Sequence, residues 1–259
     1  MARRHWADIR KKIPVKKKYL VLCLVVIVVV LIGFIFTYFI PLGYRMTVSA
    51  HGFNEILHNV YLNSDYELDK EETVKMINEA RARVADYFGE VKSDPVIIIC
   101  DNEARLTRLG GDHDTKTAVF ISVSSYVAIS PEYLNIDVLS HELTHAETHM
   151  RVWQGKLWPH LAIPTWFDEG IALQNDYRDR YNEESWITAT DNGRNVIALD
   201  KIDTPDEFYA GTIDNRRYNY IISKNELREW IEQNGLPSLF GILDKLNQGA
   251  EFDSLYFHR

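Results

Sequence analysis

Disulfides cannot hold this chain together. Its 259 residues include two cysteines, Cys23 and Cys100, and Cys23 lies inside a long apolar run, so the remainder has no partner for Cys100. Stability must come from an apolar core, supplemented by any bound metal. Internal repeats and low-complexity stretches are also absent, so one non-repetitive fold is expected. Basic residues are scarce after residue 40. The first 40 residues carry eight of them against one acid, a net of +7, while the whole chain is −8, leaving −15 for residues 41–259. A domain this acidic repels phosphate, which excludes nucleic-acid binding. What is present is an ordinary globular balance, 46% hydrophobic and 25% charged, on a chain long enough to bury a sizeable core.

The apolar run spans residues 19–40 and contains no charge. A bilayer takes about 20 helical residues to cross, Tyr19 and Tyr38 stand at the two ends as interfacial rings do, and Pro41 and Gly43 follow as breakers. A signal peptide has a shorter apolar region, about 7–15 residues, with a small-residue cleavage site close behind; here the only such site is Val48-Ser49-Ala50, well past the run. The expectation is therefore a basic cytoplasmic tail (1–18), a single transmembrane anchor (19–40), an irregular lead-in (41–66) and an extracytoplasmic domain (67–259). The basic flank sets that orientation, and the cell membrane becomes an expected partner.

Within the domain, apolar residues at Val74, Ile77, Ala80, Val84 and Tyr87 predict an amphipathic helix over 69–88, ended by Gly89. The β-branched run 95–100 predicts a buried strand, and 118–123 and 126–129 predict two more. Helices are predicted over 136–153, 164–174, 217–233 and 237–247. Strands first and helices after give an α+β fold.

The densest chemistry is H-E-L-T-H-A-E-T-H-M, residues 141–150. Ile136, Leu139, Leu143, Ala146, Met150 and Trp153 form one apolar stripe, which puts His141 and His145 together on the opposite side. Residues four apart are neighbours, so the two imidazoles can share an ion, with Glu142 about 100° round the axis. His149 cannot join His141: eight residues rise about 12 Å, against metal–nitrogen bonds of about 2 Å. The longer pattern with a third histidine fails too, because Thr148 and Arg151 occupy its glycine and histidine positions. A third protein ligand has to come from elsewhere.

P-T-W-F-D-E-G-I-A, residues 164–172, follows. H-E-L-T-H together with P-x-W-x-x-E-G-I-A resembles the gluzincin metallopeptidases, specifically the small thermolysin-like, "peptidase MA-like" domains of bacteria. The specific likeness covers some 30 residues. It implies a small sheet followed by a helical part with the metal in the cleft, Glu169 as third zinc ligand beside His141 and His145, and a fourth position for water. It implies Glu142 as general base, Tyr220, at a family-like spacing from Gly235, as oxyanion donor in preference to Tyr218, and a strand at 118–123 that pairs with an extended peptide. The implied activity is zinc-dependent hydrolysis of a peptide or protein substrate. The alternative is a catalytically inactive zinc-binding assembly module at the membrane, although structural zinc sites usually have four ligands and favour cysteine. Leu173 departs from the family pattern, since some relatives place there an aspartate that orients a zinc histidine. Asp168 offers itself as a substitute, against its reading as a solvated helix aspartate.

Overall fold

The computed structural model describes residues 15–35, 39–64, 68–111, 117–121, 125–154 and 163–257. Five strands build one mixed sheet: β1 (Phe53–Leu57), β2 (Val60–Asn63), β3 (Val96–Ile99), β4 (Thr117–Ile121) and β5 (Ser125–Ile129), in spatial order β1-β2-β3-β5-β4. β1 and β2 form an antiparallel hairpin whose turn takes Asn59 to φ 59°, a conformation asparagine tolerates better than most residues. β3 runs parallel to both β2 and β5, and β4 closes the other edge antiparallel to β5. Ile97, Ile98 and Ile99 of β3 are all fully buried, as expected for a strand covered on both faces.

Eleven helices occur among the described residues: α1 (Val15–Phe34), α2 (Ile40–Met46), α3 (Lys70–Phe88), α4 (Glu103–Arg108), α5 (Ile136–Val152), α6 (Thr165–Gln174), α7 (Glu183–Thr190), α8 (Pro205–Phe208), α9 (Ile213–Asn234), α10 (Leu236–Asn247) and α11 (Phe252–Tyr256). Side-chain alternation along the strands divides the core. Ile97, Ile99, Val127 and Ile129 face α3 and α5, meeting Ile77, Val84, Leu139 and Leu143, while Ile98, Cys100, Tyr126 and Ala128 face the smaller cover formed by Leu106, Leu109, Val48 and Phe53. α3 is capped by Asp69, which accepts from the Glu71 and Glu72 amides, and its buried stripe is Thr73, Ile77, Ala80, Val84 and Phe88. Val74 and Tyr87, expected on that stripe, sit half-buried at its margins.

Three expectations are corrected. The chain is predominantly helical, and its strands do not precede its helices: α3 separates β2 from β3, and α4 separates β3 from β4, so the α+β ordering does not hold. The lead-in at 41–66 is not irregular; it holds α2, a short 3₁₀ turn and the β1–β2 hairpin that forms one edge of the sheet. Short, half-polar strands such as F-N-E-I-L carry too weak an alternation to announce themselves. Finally, among the described residues no helix is long and apolar enough to cross a membrane. α1 begins at Val15, spends its first turn on Lys16, Lys17 and Lys18, and ends at Phe34, so its uncharged part, Tyr19 to Phe34, stops short of the roughly 20 residues a span requires. The single-pass anchor, the membrane as partner and the assigned localisation are withdrawn with it. Residues 36–38 of the apolar run and most of the basic tail lie outside the described residues.

Helix packing fixes the chemistry-bearing segments. α5 is capped by Asn135, which accepts from the Val138 amide at 2.9 Å, and touches α3, α6, α10 and the sheet. A buried acid–base clamp outside the histidine row is Glu147, which accepts from the Lys92 and Ser93 amides and from Arg151 Nε at 2.6 Å. α6 lies tightly on α9. At Gly170 an added Cβ would sit 2.7 Å from both Leu227 Cδ2 and the Ser223 carbonyl oxygen, so the glycine of the E-G-I-A segment permits this approach. Gly170→Ala is expected to push α6 off α9 and cost about 1–3 kcal/mol through overpacking. Urea unfolding of the two proteins measures it, and an unchanged midpoint would refute the close-packing account.

Candidate metal centre

α5 is buried almost all round: His141, Glu142, His145 and His149 are each under 10% exposed, as are Asp168 and Glu169 on α6. That disposes of a solvated polar face. Trp166, three residues before Glu169, is fully buried against Phe167, Phe252 and Tyr256 and donates its indole N–H to Asp203 Oδ1 at 2.9 Å. With Gly170 on its other side, this anchors the turn of α6 that carries the carboxylate.

Three atoms converge. His141 Nε2 and His145 Nε2 are 3.1 Å apart, and Glu169 Oε2 is 3.3 Å from each. Bonds of about 2.0–2.1 Å arranged tetrahedrally would place ligand atoms about 3.3–3.4 Å apart, so the triangle has the size of one face of such a site. Glu169 Oε2 is buried without a hydrogen-bond partner, and two imidazole nitrogens so close cannot both be protonated donors to each other. A cation at their common focus satisfies all three. Buried His141, His145 and Glu169 can hold a metal ion, and a second, overlapping group, His145, His149 and Asp168, meets the same proximity requirement.

No family model, curated protein or solved structure matches the chain. The centre therefore has to be judged on its own geometry and charge.

Around the triangle the charges favour a positive occupant. For His145 burial opposes the charged form, but the Asp168 and Glu169 carboxylates outweigh it and raise the ring's pKa well above its ordinary value. Burial would raise Glu169, yet His145 and His141 bring it down to about 2. Asp168 and Asp176 are likewise lowered against the effect of burial, the first by His145 and His149, the second by Arg178 and His141. In the metal-free chain these shifts have a signed consequence. Glu169 adds stability above its ordinary value of about 4.5 that is lost as pH falls toward 2; His145 adds stability below about 6.5 that is lost as pH rises through its higher folded value. The stability difference between chelator-treated wild type and a His145→Gln/Glu169→Gln double variant is expected to be greatest between pH 4.5 and 6.5, shrinking on both sides. Urea titrations across pH measure it, and a monotonic trend would contradict the coupling.

Beyond the triangle, the Tyr209 hydroxyl donates to Glu169 Oε1. His145 Nδ1 is 3.1 Å from Asp168 Oδ2, though off the line of a ring N–H bond, and His141 Nδ1 is 3.6 Å from Asp176 Oδ2. Arg178 grips both oxygens of Asp176. Tyr209 and Asp176 were not singled out in the sequence: their distances from Glu169, forty residues and seven, match no motif. Asp168, read there as solvated, is buried. Glu142 is close enough to Arg178 and Tyr220 to perturb both groups. Tyr220 packs its ring 6.5 Å from that of His141 and against Phe208, Tyr181 and Tyr209. Burial, then the charge of Glu169, raises its pKa, so the hydroxyl stays protonated and can donate. Tyr218 is committed elsewhere, accepting from the Ile197 amide and donating to the Asn195 carbonyl.

Proposed function

We propose that this protein is a zinc-dependent peptidase, with His141, His145 and Glu169 holding the ion. The observation that carries this reading is the 3.1–3.3 Å triangle of two imidazole nitrogens and one carboxylate oxygen, with Glu142 buried and next to His141 in the chain. Two histidines and one carboxylate are the donor set of catalytic zinc sites, and no thiol competes for it among the described residues: Cys100 packs on the other face of the sheet and Cys23 lies in α1. Zinc bound there supplies Lewis acidity, both to an attacking water molecule and to the carbonyl under attack.

The chain's own residues do the rest. Glu142 takes the proton of the attacking water and returns it to the leaving amine. The Tyr220 hydroxyl, protonated and beside the triangle, donates to the oxygen on which negative charge develops. Tyr209 holds the second oxygen of Glu169, which keeps the first aimed at the focus. Strand β4, in contact with α5, is an edge strand of the sheet among the described residues, the place where an extended substrate would pair. The test is hydrolysis of a mixed peptide pool by the full chain with and without zinc, set beside Glu142→Gln. Zinc-dependent cleavage that the variant loses supports the reading; no cleavage by a zinc-loaded wild type would favour a non-catalytic zinc module.

A further inference from the structure

His149 has no part in the triangle, yet it is buried and bonded. It stands one turn beyond His145 on α5, and its Nε2 is hydrogen-bonded to Asp168 Oδ2 at 2.8 Å. The same oxygen lies 3.1 Å from His145 Nδ1. His145 presents its other nitrogen, Nε2, to the focus. Asp168 immediately precedes Glu169 on α6, so one turn of α6 supplies both a ligand oxygen and a carboxylate behind a ligand ring.

We propose that His149 is a positioning residue of the metal centre: its N–H fixes the Asp168 carboxylate, and Asp168 holds the His145 ring so that Nε2 faces the ion. The inference rests on the reading of His141, His145 and Glu169 as ligands. Asp168 is a buried carboxylate whose Oδ1 has no hydrogen bond and whose Oδ2 has one in line, from His149. Without His149 it keeps only the bent approach of His145, and a buried carboxylate with so little compensation has to turn to find another partner. That turn releases the His145 ring.

A second ion shared by His145, His149 and Asp168 is the competing account, and the geometry disfavours it. The 2.8 Å separation of His149 and Asp168 is a hydrogen-bond length, shorter than the ligand–ligand spacing of about 3.3 Å found around a tetrahedral zinc. His145 would also have to give one nitrogen to each ion, which requires loss of both its ring protons.

The experiment is a zinc competition titration of the full chain against a chromogenic chelator for wild type, His149→Leu, His149→Gln and Asp168→Asn, with circular dichroism to confirm folding. The glutamine amide can restore an N–H donor to Asp168; leucine cannot. The expected result is one zinc per chain throughout, affinity weakened about 10-fold or more in His149→Leu and Asp168→Asn, and His149→Gln within a few-fold of wild type. Should the leucine variant not fold, Asp168→Asn against His149→Gln carries the same contrast. Wild-type affinity in His149→Leu or in Asp168→Asn overturns the proposal. So does an equal loss in the leucine and glutamine variants, which would mean packing alone, or a stoichiometry falling from two zinc ions to one, which would make His149 a ligand. Failure of the wild type to bind zinc refutes the underlying ligand assignment instead, and with it the proposal.

Discussion

Glu142→Gln is expected to lower kcat for peptide hydrolysis by about 10²–10⁴-fold while leaving one zinc ion per chain, because general-base catalysis by a positioned side chain contributes that much. The substitution keeps shape and volume and removes only the ability to take a proton. Glu142 is not one of the three convergent atoms, so the triangle has no reason to open. Its surroundings make the change clean in another respect. Glu142 is buried, with Arg178 and Tyr220 near enough to feel its charge. The amide keeps the buried side chain's size and its capacity to hydrogen-bond, so the folded state should survive. Rate measurements on a cleaved peptide, with metal content by atomic absorption on the same sample, decide the matter. A variant that cleaves at the wild-type rate would remove Glu142 from the mechanism. One that loses its zinc as well would mean that Glu142 helps to hold the ion.

The parts of this site legible in sequence are those set by local geometry. A helix repeat of 3.6 residues is enough to put His141 and His145 side by side, and the same repeat excludes His149 from their ion. Glu169 could be named from its motif, and the structure supplies the physical content of that motif: Trp166 pins the helix turn, and Gly170 lets α6 close on α9. What was not legible depends on chain segments far apart. Tyr209 reaches Glu169 only because α8 and the loop after it fold back over α6, and no spacing rule links residues forty apart. Asp168 was misread for a related reason. An aspartate on a short helix is usually solvated, and only the packing of α5 against α6 buries this one between two histidines.

The fold shows the same division. Helices with a sustained apolar stripe were found within a few residues of their bounds: 69–88 against α3, 136–153 against α5, 237–247 against α10. α9 begins at Ile213, four residues before the expected start, because Thr212 and Asn215 form a reciprocal cap that no hydrophobic pattern signals. The β1–β2 hairpin is not legible because its strands depend on pairing, β1 with β2 and β2 with β3, more than on their own sequence. In the apolar run near the N-terminus, no helix among the described residues is long and apolar enough to cross a membrane. Three lysines lie inside the first turn of α1, and Pro41 and Gly43, expected as breakers, lie within α2 (Ile40–Met46).

For Glu169→Ala the largest change is expected in metal content, from about one ion per chain to nearly none. Two imidazoles alone leave a divalent ion with half of its four positions to fill from solvent, and the carboxylate is the only negative ligand of the three. Stability follows by linkage. At free zinc a thousandfold above the dissociation constant, binding adds about 4 kcal/mol to the wild type, and the variant should gain almost none. Adding excess chelator provides the control, because it removes the ion without touching the side chain. The chelator-treated wild type should unfold near the variant, displaced from it only by what Glu169 contributes on its own: the bond from Tyr209 and the attraction of His145 and His141, set against the cost of burying the carboxylate. If the variant still takes up one ion with an affinity like that of wild type, then Glu169 is no ligand, and the overlapping group of His145, His149 and Asp168 becomes the place to look.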